Sequence, residues 1–589
     1  MRSEPDVTRR AEKILQNVNM LPLLHNAVTA YSTPATRPPT PAGVFKTSNY
    51  REATDLSERI SQLAGSKSAR CAVIGGGLSG LACAKYLTDA GHTPTVYEGR
   101  KVLGGKVSAW QDDDGDWIET GLHIFFGAYP NMMRLFSELD IHERLQWKQH
   151  RMAFAMREQP GEFTTFDFTP GMPAPFGMAL AILRNTQMLT WAEKVQMVPA
   201  LLPMLIEGQS FIDRQDELSV SEFMDKYGMP PRVKDEIFIA MGKALDFIDP
   251  DKLSMSVVLT AMNRFINEAD GSQTAFIDGN QPERLCAPMV SHVEARGGAV
   301  LTGAPVREIV VGDDGEVEHL LLADGSTVEA DYYISAVPCD VFQRLLPEAW
   351  RQKPFFAATR ALKGIAVINV QLWFDRKLGS SLDGLAFSRS PLLSVYADMS
   401  RSCAEYADDE RSMLELVFAP CTPQAGADRD WLKQSDEEII DATLGELARL
   451  FPNEVAADAR TAATSSPGAR AAALRKYSVV RVPRSVYAAV PGAGKFRPSQ
   501  TTPIDNFVLA GDWSQQRFLG SMEGAVLAGK LAAEVVASRV AGEAPKGWRE
   551  PVAMPDADHN AADAPPPVGF TGASPVAFGG GQQGGFSHP

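Results

Sequence analysis

Gly75, Gly77 and Gly80, spaced G-x-G-x-x-G, together with Ser79 and the acid Glu98 further on, are residues suited to holding a pyrophosphate and a ribose. Gly75 permits a tight turn, Gly77 lets the backbone approach the ligand, and Gly80 lets a helix pack closely on a strand. The pyrophosphate would rest on the helix N-terminus, where free N–H groups and the dipole favour negative charge. Glu98 would accept hydrogen bonds from the ribose. Such chemistry needs elements to position it, and residues 69–98 supply them. An apolar strand at 71–74 runs into the glycine turn, a helix opens there and ends near Gly91, and a second strand at 93–97 finishes on Glu98. A glycine pattern alone is a weak signal; with both strands, the helix and the terminal acid it reads as a complete nucleotide-binding βαβ unit.

The residues beyond this unit decide which nucleotide. After Glu98 the chain reads GRKVLGGK, a second glycine turn (Gly104, Gly105) carrying Arg100, Lys101 and Lys106. Simple dehydrogenases lack this element; it suits a cofactor whose diphosphate takes charge-assisted contacts from a second section. Next comes DWIETGLHIFFGAYPN at 116–131, an apolar and aromatic run around Glu119 and His123. Near the other end stand FVLAGDW at 507–513 and SMEGAVLAG at 521–529, again strand, turn and helix. Asp512 is placed to accept from ribitol hydroxyls, and the helix entered at Ser521 to aim its dipole at a flavin. A cofactor held by both ends of the chain is FAD, in a flavin domain interrupted by insertions.

GLHIFFGAYPN, MNRF at 262–265, AFIDGNQPERLC at 275–286, LLSVYADMS at 392–400 and SMEGAV at 521–526 resemble the plant- and cyanobacterial-type phytoene desaturase family, within the amine-oxidase-like flavoproteins. The likeness covers roughly residues 69–540. ζ-Carotene desaturases are the nearest sisters, but details such as ETGLHIFFGAYPN favour the phytoene enzymes. The implied fold is α/β: a Rossmann-like FAD-binding domain of the glutathione-reductase/amine-oxidase type, discontinuous in sequence, with an inserted substrate domain and a helical membrane-associating part. On that plan 1–68 is an N-terminal extension with a possible targeting role, and 69–150, 291–339 and 476–540 form the FAD-binding domain. Residues 151–290 are the substrate and membrane-associating part, 340–475 the second substrate part, and 541–589 a Pro-, Ala- and Gly-rich tail expected to be disordered.

The resemblance implies a two-step dehydrogenation of 15-cis-phytoene through phytofluene to 9,9′-di-cis-ζ-carotene, with hydride passing to FAD and electrons onward to plastoquinone. A hydrocarbon without a polar handle is recognised by a long apolar channel. Carried over residue by residue, Gly75, Gly77, Ser79 and Gly80 serve the diphosphate. Glu98 and Gly99 hold the adenosine ribose, and Lys106 reaches the phosphates. His123, Ile124 and Tyr129 line the flavin, Val306 the adenine, and Asp512 and Met522 the ribityl–isoalloxazine end. Arg264 and Gly520 match positions facing the carotenoid or quinone, and Arg264 is suited to a quinone carbonyl or to the negative charge of the reduced flavin. No paired carboxylate or Ser/His/Asp arrangement emerges, and no protein acid or base is assigned to catalysis. Departures stand at Gly99 and Gly520, where alanine is usual, and at Trp513-Ser514-Gln515, where the family has tyrosine, threonine and lysine. These leave open ζ-carotene desaturation, flavin-dependent isomerisation, or an inactive flavin-binding carotenoid carrier. A flavin-dependent amine oxidase would call for a polar, aromatic-caged site, of which the sequence carries no sign.

Composition agrees with a large enzyme. At 589 residues more than one core is expected, and a formal charge of −15 argues against a nucleic-acid partner. Six cysteines show no CxxC spacing and nine histidines no HxxxH pair, so no metal is expected. Apolar stretches at 171–183 and 195–206 are divided by Arg184, Glu193 and Lys194, and Pro199 and Pro203 are expected to interrupt the second. Neither reaches the about 18–20 apolar residues that span a bilayer, so the family resemblance implies monotopic membrane contact without spanning. It further implies a plastid location and a possible homo-oligomer.

Overall fold

The strand Arg70–Ile74 is apolar and buried after its first residue, and it becomes the centre of a five-stranded sheet. The computed structural model describes residues 41–65, 67–155, 163–460 and 471–545. The expected targeting segment before 41 and nearly all of the expected disordered tail, from 546, lie outside the described residues.

In this sheet the order is Ala299–Leu301, Thr93–Tyr97, Arg70–Ile74, Tyr332–Ser335 and Phe507–Leu509, all parallel. The βαβ unit, the middle section and the C-terminal section are therefore one layer drawn from three parts of the sequence. A parallel sheet needs both faces covered. Seven helices frame the site and its surroundings: α1 (Ser48–Gln62), α2 (Leu78–Asp89), α3 (Pro130–Glu138), α4 (Phe176–Arg184), α5 (Trp191–Glu207), α6 (Met255–Asn267) and α7 (Met522–Ala541). α7 lies directly on α2: a Cβ on Gly529 would stand 2.1 Å from the Ser79 carbonyl oxygen, so only glycine allows this approach.

α1 belongs to this body although it falls within the stretch read as an extension. Asn49, Ala53, Ser57 and Ile60 repeat at helical spacing and are buried. Lys530 of α7 donates to the Ala53 carbonyl, and Arg59 pairs with Glu534 at 2.8 Å.

The second layer is a seven-stranded sheet in the order Leu474–Val482, Val367–Phe374, Met413–Phe418, Leu393–Asp398, Leu385–Ser388, Arg151–Ala155 and Phe163–Asp167. It is antiparallel except where Leu385–Ser388 meets Arg151–Ala155. Leu474–Val482 pairs along its length with Val367–Phe374, so a boundary at 476 falls inside a strand of this sheet. The chain rejoins the parallel sheet at Phe507.

The 176–267 region is largely helical and packs against the seven-stranded sheet. The apolar stretch expected from 171 becomes helical only at Phe176, and Pro199 and Pro203 do not interrupt the next helix. α5 runs unbroken through both, opened by a capping box of Thr190 and Glu193. Pro199 is exposed, and a ring on the outward side meets little but solvent. No described helix is long and apolar enough to cross a membrane. Large apolar side chains are nonetheless exposed along α4 and α5, including Phe176 (64%), Trp191 (52%), Val198 (50%) and Ile206 (74%).

Candidate functional site

The first glycine turn is built for close approach. Gly75 takes φ +106°, and a Cβ on Gly80 would come 1.9 Å from the Gly75 carbonyl oxygen. α2 starts at Gly77 with no side-chain cap, leaving its first amides for a ligand. Glu98 ends its strand buried, accepting from Gly76 N (2.7 Å) and Arg100 N (2.9 Å). Its carboxylate thus fastens the turn from which a ribose would be read. The second turn lies against the first: Gly104 N donates to Gly76 O at 2.9 Å, and Gly77 bridges Gly104. Gly99 faces Pro305, the neighbour of Val306, 3.3 Å from where its Cβ would be.

The C-terminal section closes on these turns. Ser79 accepts from Gly511 N at 2.8 Å, and Lys106 Nζ lies 2.9 and 2.7 Å from the two oxygens of Asp512. His123 turns Nε2 to the Lys106 carbonyl (3.1 Å) and Nδ1 toward Glu119 (3.6 Å). Ile124, next to it, is buried. Tyr129 precedes α3 and faces Ser521 and Glu523, beside Met522 at the start of α7. A Cβ on Gly520 would lie 3.4 Å from Val486 and the Tyr487 ring, so the alanine usual in the family fits here as well.

Two groups that the sequence reading passed over, Arg497 and Glu523, and one that it singled out as a departure, Trp513, hold this arrangement. Arg497 donates to the carbonyls of Asp512 (3.1 Å), Trp513 (3.3 Å), Ser514 and Gln516, clamping the turn that carries Asp512. Glu523 accepts from Asn131 N, Asn131 Nδ2 and Met132 N at 2.8–3.0 Å, capping α3 across the domain; burial pushes its carboxyl up. Trp513, one of the departures, is buried and donates its indole N–H to the Val337 carbonyl at 2.9 Å. It ties the third section to the chain just past the strand Tyr332–Ser335, next to the central one. A start at Pro130 without a capping side chain was the only sequence signal for Glu523. Arg497 had none.

Arg264 stands one step further, in the last turn of α6. Its guanidinium lies 5.3 Å over the Phe518 ring and donates to the Arg517 carbonyl at 3.4 Å, a few residues before Gly520. Burial pushes it below the usual arginine range, with Glu268 opposing. The contacts Ser79–Gly511, Lys106–Asp512 and His123–Lys106 join most of the residues singled out in the sequence, while Val306, on a separate sheet, is reached only through Pro305, and Arg264 stands against the Arg517 carbonyl, three residues before Gly520. Uncapped amides, glycines that admit no side chain and a half-buried cation at the turn fit a dinucleotide with a second anchored section.

A family model described as flavin containing amine oxidoreductase matches residues 78–537. The chain is 53% identical over 491 residues to the chloroplastic/chromoplastic 15-cis-phytoene desaturase of Capsicum annuum, covering 83% of this chain and 81% of that one. It is 54% identical over 475 residues to the 15-cis-phytoene desaturase of Synechococcus elongatus, covering 80% and 96%. Identity to the zeta-carotene desaturase of Synechocystis is 33% over 500 residues, covering 79% and 97%. Among solved structures, putrescine oxidase bound to putrescine superposes with a TM-score of 0.55 at 18% identity, covering 80% of this chain and 100% of that one. That likeness shows the fold alone.

Proposed function

The chain belongs to the flavin containing amine oxidoreductase family and, within it, to the 15-cis-phytoene desaturases, and from that premise we propose that it dehydrogenates 15-cis-phytoene with FAD. The observation that carries this is the 53–54% identity to phytoene desaturases over 81% and 96% of their length, far above the identity to a zeta-carotene desaturase. When bound, FAD supplies the two-electron chemistry, accepting hydride from the allylic carbon of the substrate. The protein's residues bind, orient and shield.

Gly75, Gly77, Ser79, Gly80 and the N-terminus of α2 hold the diphosphate, with Lys106 beside it. Glu98 and Gly99 take the adenosine ribose, and Val306 the adenine. Asp512, kept in place by Lys106 and Arg497, takes the ribityl chain, while His123, Ile124, Tyr129 and Met522 line the ring. Gly520 and Arg264 stand on the substrate side. Arg264 is suited to a polar carbonyl, which the carotenoid lacks and plastoquinone has, so we assign it to the electron acceptor. The bond to be oxidised is placed by apolar contacts alone, as a hydrocarbon requires. Two such turnovers give phytofluene and then 9,9′-di-cis-ζ-carotene.

Both hydrophobic reactants partition into bilayers, and the exposed apolar side chains of α4 and α5 offer a face to lie in one leaflet. This reading is of a monotopic plastid enzyme that self-associates on the membrane. Incubating FAD-loaded protein with 15-cis-phytoene and plastoquinone in liposomes, then separating products by chromatography, tests it. Quinone-dependent phytofluene and 9,9′-di-cis-ζ-carotene are expected. Conversion of ζ-carotene but not phytoene would move the chain to the sister activity. Failure with both, flavin being bound, would favour the carrier reading.

A further inference from the structure

His123 has one ring nitrogen settled and the other not. Nε2 lies 3.1 Å from the Lys106 carbonyl oxygen, an acceptor, and so carries a proton. Nδ1 is buried without a hydrogen-bond partner and faces Glu119 Oε2, 3.6 Å away. In a neutral ring, Nδ1 would set a lone pair against a carboxylate. A second ring proton turns that clash into an ion pair, with the imidazolium charge spread over both nitrogens.

The surroundings keep the matching negative charge on Glu119. This residue ends the strand Trp117–Glu119, is buried, and accepts from the Tyr406 hydroxyl at Oε1. Burial and the Glu119 carboxylate push Tyr406 up, so its O–H stays a donor. The seven-stranded sheet fastens the strand: Gln371 Oε1 accepts from Glu119 N at 3.2 Å, and Asn369 Nδ2 donates to Glu119 O at 3.0 Å. The same Asn369 amide donates to Glu415 Oε1 at 2.9 Å. Glu415 is fully buried, its Oε2 has no partner, and among the described residues no cation pairs with it. Burial, and after it Glu119, push the Glu415 carboxyl well up. Two neighbouring buried carboxyls resist ionising together, and the Tyr406 hydroxyl and the imidazole favour Glu119 as the charged one.

The proposed function sets His123 against the flavin, and the inference rests on that placement, not on the identity of the carotenoid. Hydride transfer to the cofactor adds a negative charge, which a fixed cation in a water-poor site stabilises. We propose that Glu119 is a positioning residue that holds His123 as an imidazolium against the cofactor and so sets how readily the flavin is reduced. Lys106 cannot take this part from the same side of the ring: it offers His123 its carbonyl, while its ammonium is paired with Asp512. Tyr406 and Asn369 lie far along the chain from Glu119, so the seven-stranded sheet and the loop at Tyr406 support the charge beside the flavin.

Two readouts on the FAD-loaded full chain test this without phytoene or quinone. Nitrogen NMR of ring-labelled histidine, assigned with His123→Gln, reports the protonation of His123 directly. Both ring nitrogens should be protonated at about pH 7.5, and Glu119→Gln should leave one of them bare. That variant keeps an acceptor for Tyr406 and sets an amide N–H against Nδ1, so the fold is retained while the charge is lost. The second readout is the flavin midpoint potential, taken by dye-coupled reduction. Glu119→Gln should lower the reduced-to-oxidised ratio at a fixed potential about tenfold, a fall of about 30 mV for two electrons. His123→Gln should lower it as much, and the double variant no further. Glu415→Gln, in the same buried cluster but removing no charge, should leave both readouts unchanged. A bare His123 nitrogen in the wild type would overturn the proposal, and that spectrum decides even where a variant fails to fold. An unmoved potential in Glu119→Gln would overturn it as well. So would an equal fall in Glu415→Gln, which would reassign the cluster to packing. Anaerobic addition of phytoene to the same samples tests the enzymatic reading separately.

Discussion

Lys106 and Asp512, near opposite ends of the chain, meet as an ammonium–carboxylate pair with Nζ 2.9 and 2.7 Å from the two oxygens. The pair joins the second glycine turn to the C-terminal strand–turn–helix, the two sections to which the proposed function assigns the flavin half of the cofactor. A partly exposed ion pair contributes little to stability, about 1 kcal/mol or less, so its weight falls on placement. Lys106→Met and Asp512→Asn should leave the melting temperature of the apoprotein within a few degrees of wild type. FAD affinity should drop roughly tenfold, about 1.4 kcal/mol, measured by flavin fluorescence on dilution. Unchanged affinity in both variants would dissociate the pair from the cofactor.

Arg497 makes the same point about the turn itself. Replacing a guanidinium that serves four carbonyls leaves several acceptors unmatched, at a cost of about 2–3 kcal/mol. Arg497→Ala should therefore shed FAD and melt earlier. Arg497→Lys should recover only part of the loss, because an ammonium cannot reach the same set in one plane. Full rescue by lysine would show that charge, not the fork, is what the turn needs.

Gly80 and Gly529 admit no methyl group, since a Cβ would stand 1.9 Å from Gly75 O and 2.1 Å from Ser79 O. Either Gly→Ala change should cost about 2–4 kcal/mol by forcing α2 off its neighbours. Thermal unfolding of purified variants measures this. Gly520→Ala, by contrast, should be nearly neutral, as its neighbours lie at ordinary contact distance.

The βαβ unit was legible because strand, glycine turn, helix and second strand all signal the same structure within thirty residues, and the ends at Ile74, Asp89 and Tyr97 follow that pattern closely. Wherever tertiary packing overrides a local signal, the sequence misleads. Pro199 and Pro203 look like breaks, yet α5 passes through both, because the packing of its buried side chains outweighs the few backbone bonds lost. α1 hid in a polar stretch whose apolar repeat is short, and its packing against α2, α3 and α7 makes it part of the body. Arg497 was invisible for another reason: a side chain that serves distant carbonyls leaves no periodicity or spacing to read.

Lys530 gives the pH prediction. It is fully buried on α7, and burial lowers it from 10.5 to about 7, with Glu138 opposing and Lys85 adding to the shift. Between about pH 7 and 10.5 the unfolded chain holds a proton that the fold does not, so this group makes stability rise with pH in that window. Below pH 7 both states are protonated and the cost of burying the charge is present in full. Lys530→Met should raise stability at pH 7, on the order of 3–5 kcal/mol at most, and flatten the rise above it. Denaturant titrations at pH 6.5 and 9 would show it. Destabilisation at both pH values would mean that the bond to the Ala53 carbonyl outweighs the buried charge.

The most direct test of the desaturase assignment is optical. Under anaerobic conditions, the flavin absorbance of the FAD-loaded protein in liposomes is followed while 15-cis-phytoene and then plastoquinone are added. Bleaching on phytoene and recovery on the quinone are expected, with Arg264→Ala slowing the recovery more than the bleaching. A flavin that stays oxidised with phytoene, or bleaches only with ζ-carotene, would contradict the assignment.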